Sequence, residues 1–150
     1  MAQYFTPEGF KKLKEELNDL KTREMKRIVK LISEAAAFGD LKENSAYHEA
    51  RNMKSFLLGR IEQIENAISD AIIHKKKETD GIQIGSEVKI IFNGKEEKYQ
   101  IVAPTEADIL KNKMSYQSPL GQKLMGKRVS DAFDFEINGK KIKVKVLKVK

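Results

Sequence analysis

Phe38-Gly39-Asp40-Leu41-Lys42-Glu43-Asn44-Ser45-Ala46-Tyr47 is a polar break between two apolar stripes, and its reading decides the fold. Upstream, Phe10, Leu13, Leu17, Leu20, Ile28, Leu31, Ile32 and Ala35 recur at helical spacing over about seven turns. The spacing holds from Phe10 to Leu20 and slips by one before Met25, which a straight helix tolerates better than a strict supercoil. Thr6, Pro7 and Glu8 supply an N-cap, a first-turn proline and a first-turn carboxylate, and Gly39 supplies a stop. Downstream, Tyr47, Ala50, Met53, Leu57, Ile61, Ile64, Ile68 and Ala71 recur close to the coiled-coil period. Two such helices joined by a few residues run antiparallel and bury stripe on stripe. The expected product is a finger roughly 45 Å long with its tip near Gly39, too thin to be a catalytic domain by itself.

Beyond the finger the period changes. Lys75-Lys76-Lys77-Glu78-Thr79-Asp80-Gly81 is polar and ends the helical pattern, which places residues 1–76 in the finger and 77–150 in a globular domain. Val88, Ile90 and Phe92 alternate, Asn93-Gly94 offers a type I′ turn, and Tyr99-Gln100-Ile101-Val102 returns. A second hairpin runs from Phe133 to Ile137, turns at Asn138-Gly139 and continues through Ile142, Val144, Val146 and Val149. Between them Ser118-Pro119 starts a short helix that Gly126 stops. The predicted class is α+β: an N-terminal antiparallel coiled-coil hairpin, then a small antiparallel sheet with one short helix.

Composition narrows the chemistry. The 150 residues contain no cysteine and two histidines, His48 and His74, which excludes disulfides, thiolate zinc sites and cysteine nucleophiles. No apolar run approaches the ~20 residues of a membrane span and the N-terminus lacks a signal-peptide pattern, so a soluble intracellular protein is expected. The net charge is +7, and it is uneven: residues 1–75 carry 13 basic and 12 acidic side chains, residues 76–150 carry 16 and 10. An excess of Lys and Arg favours a polyanionic partner, because binding phosphates releases their counterions.

The tip admits two readings. Asp40 and Glu43 have capping-box spacing, with Asp40 accepting from a backbone N–H of the second helix. They are also two carboxylates at the end of a rod, able to hold a divalent cation such as Mg²⁺ once a partner adds ligands. Arg23, Lys26, Arg27 and Lys30 share a face of the first helix, either a solvated face or a phosphate contact, with Glu24 expected to point elsewhere. His48 reads as a solvent-facing helix residue and Tyr47 as packing across the tip. Gly59 interrupts the second helix without an evident reason.

Gly39-Asp40-Leu41-Lys42-Glu43-Asn44-Ser45-Ala46-Tyr47 closely resembles the GDL-x-EN-x-x-Y signature of the GreA/GreB transcript cleavage factors. Thr6-Pro7-Glu8-Gly9, Glu106-Ala107-Asp108, Ser118-Pro119-Leu120-Gly121 and Leu124-Met125-Gly126-Lys127 are similar to further landmarks of that family, in the same order along nearly the whole chain. The resemblance implies a cytoplasmic, monomeric factor that is not itself an enzyme and binds no membrane. Its C-terminal domain, FKBP-like in shape, would dock on bacterial RNA polymerase, with Ser118 and Pro119 near the contact. The coiled coil would enter the secondary channel, with Asp40 and Glu43 helping to bind the second Mg²⁺ of the polymerase active site. The polymerase would then cleave backtracked RNA, and Arg23, Lys26, Arg27 and Lys30 would contact the 3′ end of the nascent transcript. The extent of the basic patch leaves the subtype open, with GreA-like preferred.

Two rivals accompany this reading. An anti-cleavage relative that occupies the channel and inhibits is disfavoured by Asp40 and Glu43 at their usual spacing. An FKBP-like folding helper or structural coiled-coil protein would show isomerase activity or self-association and no dependence on polymerase.

Overall fold

A computed structural model describes residues 2–150. The chain divides into two compact units: one is Lys11–Asp70, the other joins the residues up to Phe10 with Ala71–Lys150.

The Lys11–Asp70 unit is the helical hairpin. Its first arm starts as α1 (Pro7–Asp19), where the Thr6 hydroxyl caps by accepting from the Gly9 N–H at 3.0 Å. A π-helical turn over Leu20–Glu24 follows, then α2 (Met25–Ala36). The returning arm is α3 (Ser45–Ser69), about 38 Å long at ~1.5 Å per residue. Buried Ile28, Leu57 and Ile61 form the seam, with Leu17, Leu20, Met25, Ile32 and Met53 packed around them. The π turn lies where the apolar spacing slips. Met25 N–H reaches the Leu20 carbonyl, five residues back, so the extra residue is absorbed and Leu20 and Met25 both stay on the seam. Ion pairs between Lys21 and Glu65 (2.9 Å) and between Glu16 and Arg60 (2.9 Å) join the two arms. A side chain at Gly59 would meet open space, and no contact explains the glycine.

The second unit holds two sheets. β1 (Gln3–Phe5) and β2 (Ala71–Ile73) pair in parallel, and Phe5 is fully buried. Neither strand was expected: Ala71 continues the helical stripe in sequence, yet the helix ends at Ser69, and Ala71 lies opposite Gln3 instead. Residues 2–10 and 71–76, assigned to the finger from sequence, thus group with the sheets, because β1 pairs with β2.

The larger sheet contains β3 (Glu87–Phe92), β4 (Lys95–Val102), β5 (Lys113–Ser115), β6 (Ala132–Ile137) and β7 (Lys140–Val149), in the order β5-β4-β3-β7-β6. Its two hairpins form as read. Asn93-Gly94 and Asn138-Gly139 have φ of 51° and 81°, and 52° and 78°, the left-handed pair a type I′ turn needs. The sheet is mixed rather than antiparallel, because β5 pairs with β4 in parallel. The chain reaches β5 through two short 3₁₀ turns, a connection that carries no apolar alternation to betray it. Ile82, Val88, Ile90, Ile101, Leu124, Val144 and Val146 make the core, and Leu124 brings α4 (Pro119–Leu124) onto it.

Candidate functional site

The tip is built around Asn44. This residue, not Asp40, is the N-cap of α3: its side-chain oxygen accepts from the Tyr47 N–H at 3.0 Å. Its amide donates to the carbonyl of Ala35 at 2.6 Å and faces that of Gly39 at 3.4 Å, so one side chain ends one helix and starts the next. The capping-box reading of Asp40 and Glu43 is therefore corrected. α3 starts at Ser45, after both acids.

Asp40 and Glu43 lie in the turn itself. Gly39 (φ 77°) and Asp40 (φ 39°) both adopt left-handed backbone, and the Glu43 N–H donates to the Asp40 carbonyl at 3.3 Å. Both side chains are exposed, and neither carboxylate has a hydrogen bond or ion pair among the described residues. They are flanked by apolar side chains that are also exposed: Phe38 is 86% exposed and Leu41 46%. His48 closes the turn by a contact from Nε2 to the Lys42 carbonyl at 3.2 Å, and Tyr47 lies half-buried under the Arg51 guanidinium. Two unpartnered carboxylates suit Mg²⁺, a hard cation that accepts a few carboxylate oxygens and retains water. Among the described residues no group of three or more His, Asp or Glu gathers there, so further ligands would come from elsewhere.

Arg23, Lys26, Arg27 and Lys30 are all exposed on the first arm, but three of the four have acidic neighbours. Arg23 holds Asp19 through two bonds, of 2.8 and 3.0 Å. Its hydrogen bond pulls the Asp19 carboxyl below the ordinary carboxylate range. Glu24, expected to point away, receives Arg27 at 3.1 Å, and Lys30 stands 3.9 Å from Glu34. Lys26 alone lacks an acidic partner among the described residues.

Ser118 caps α4. Its oxygen accepts from the Gly121 N–H at 3.1 Å and donates to the Ser115 carbonyl at 2.7 Å. The hydroxyl is thus engaged within the fold, while Pro119 at the first helical position is exposed.

A family described as "Transcription elongation factor, N-terminal" matches residues 3–73, and one described as "Transcription elongation factor, GreA/GreB, C-term" matches residues 76–150. The chain belongs to the GreA/GreB family of transcription elongation factors.

Transcription elongation factor GreA of Clostridium perfringens is 44% identical over 97% of this chain and 94% of its own. GreA of Thermosipho melanesiensis is 40% identical over 98% and 96%. Among solved structures, that of the transcription factor Gfh1 matches with a TM-score of 0.50 and 25% identity, over 99% of this chain and 97% of that one. The matches bear out the α+β class and the elongation-factor reading. The role of Asn44 as double cap escaped the sequence reading, although Asn is among the strongest N-cap residues and stands directly before Ser45.

Proposed function

We propose that this elongation factor acts on bacterial RNA polymerase in the cytoplasm, as a monomer. It inserts the helical hairpin into the secondary channel and stimulates the polymerase's own endonucleolytic cleavage of backtracked RNA. The observation that carries the reading is the pair of exposed, unpartnered carboxylates in a turn whose shape Asn44 maintains without them. Asp40 and Glu43 are therefore free to ligate. They would help hold the second Mg²⁺ of the polymerase active site, which in a two-metal centre polarises the phosphate and activates the attacking water. The chain supplies part of a metal site and is not an enzyme alone.

The other assignments follow from their surroundings. Phe38 and Leu41 flank the acids with apolar surface that a protein-lined channel would cover. Lys26, and the Arg23, Arg27 and Lys30 cations once their acids are displaced, would contact phosphates of the extruded 3′ end. Pro119 and the Ser118 turn would lie against the polymerase rim.

The test uses a stalled, backtracked polymerase complex carrying end-labelled RNA. The wild-type factor shortens the transcript only when Mg²⁺ is present. Asp40→Asn keeps docking and folding, since Asp40 caps nothing, and lowers the cleavage rate roughly tenfold or more, a barrier increase of at least ~1.4 kcal/mol. Full stimulation by Asp40→Asn would remove the metal role.

A further inference from the structure

The outer face of the large sheet carries a row of positive charge that its own pairing does not neutralise. By strand register Lys98 of β4, Lys89 of β3 and Lys148 of β7 stand directly opposite one another across three neighbouring strands. Directly opposed residues share a face with side chains about 5 Å apart, and like charges there destabilise a sheet. Elsewhere the same strand avoids this: Lys143 lies opposite Asp134 and Lys141 opposite Glu136. Among the described residues, only Lys89 in the Lys98–Lys89–Lys148 row has an acid, Glu96 at 3.3 Å. Lys111 and Lys150 join the row around one concavity of about 430 Å³, where Glu87 is the sole acidic side chain.

We propose that this concave lysine surface binds the phosphate backbone of duplex DNA without reading its sequence. The site is independent of the cleavage reading above. Its chemistry selects the occupant. Protein interfaces are depleted of lysine at their cores, whereas phosphate contacts use it freely. The concavity has no arginine to fork onto a guanine edge. It also has no free aromatic ring to stack an unpaired base, because Tyr99 packs against the sheet's core. What remains is a set of point charges spaced for a backbone.

The experiment is fluorescence anisotropy of the full chain with a labelled 20-base-pair duplex of arbitrary sequence, between 50 and 200 mM salt. About four released counterions give a log–log slope near −3.6, roughly a hundredfold loss of affinity over that range. The double variant Lys98→Gln, Lys148→Gln reduces the slope by about 1.8. Circular dichroism checks that it folds, and removing a like-charge contact favours that. Lys11→Gln, Lys12→Gln makes the same change in net charge on the first helix and leaves the slope near the wild-type value.

Several results would overturn the proposal. One is a slope equally reduced by both double variants, and another is a slope unchanged by the sheet variant but lost in Arg27→Gln, Lys30→Gln. Tighter binding to single-stranded RNA of equal length would reject the duplex. Competition by polyglutamate as effective per charge as DNA would assign the surface to an acidic protein.

Discussion

At the scale of single residues, the tip shows how a functional motif is divided between shape and chemistry. Asn44 spends both ends of its amide on backbone groups that helix termini leave unsatisfied, a carbonyl of the first arm and an N–H of the second. Asp40 and Glu43 spend nothing. An acid at position 44 could cap but could not donate to Ala35, so the neutral amide is required for both. Asn44→Ala should cost about 1–2 kcal/mol in urea or thermal unfolding, the loss of a cap together with a stranded carbonyl. It should also impair cleavage stimulation although both acids remain, because the turn presenting them would loosen. Asn44→Asp should recover the N-cap share of that stability and not the rest. The acids themselves were legible in the sequence by type and spacing. Their freedom was not, because the same spacing also reads as a capping box.

At the scale of elements, the first arm resolves a conflict written in its sequence. Its apolar residues follow a three-four spacing up to Leu20 and again from Met25, with a step of five positions between the two. A regular α-helix would turn one stretch or the other away from α3. The π turn over Leu20–Glu24 takes up the additional residue, and the Thr22 hydroxyl donates to the Asn18 carbonyl at 2.7 Å within that region. Deleting Thr22 should therefore give a regular helix with both stretches still on the seam. The expected result is unchanged helicity by circular dichroism and an unfolding midpoint at or above that of the wild type. A large loss of stability would mean that the π turn is required for the seam instead of accommodating it. The β-hairpins needed no such adjustment, since Asn-Gly determines a type I′ turn locally.

At the scale of the whole molecule, the division of the chain is discontinuous. The strand β1 pairs with β2, which lies across the hairpin and more than sixty residues later in sequence, as in the pairing of Phe5 with Ile73. Phe5 is completely buried, its ring 6.1 Å from that of Phe10, and the His74 N–H donates to its carbonyl at 2.6 Å. Phe5→Ala should destabilise this unit by about 3–5 kcal/mol, the usual cost of emptying a buried aromatic site. Hydrogen exchange should report the loss in β1, β2 and their neighbours. The α3 amides facing the Ile28–Leu57–Ile61 seam should remain protected, since that cluster contains no residue of the sheet unit.

Periodicity, turn chemistry and capping residues act over a few positions, and for that reason the sequence alone determined the helical hairpin, the two β-hairpins, the Ser118 cap and the acidic tip. Three things required the tertiary structure. The parallel pairings β1–β2 and β4–β5 depend on β1, β2 and β5, three-residue strands too short to show alternation, and the paired segments lie far apart in sequence or across irregular turns. The acids Asp19 and Glu24 partner Arg23 and Arg27, which depends on side-chain rotamers rather than on residue type. The lysine row across β4, β3 and β7 exists only because strand register sets side by side three charges that the chain keeps apart, and register is a property of the assembled sheet.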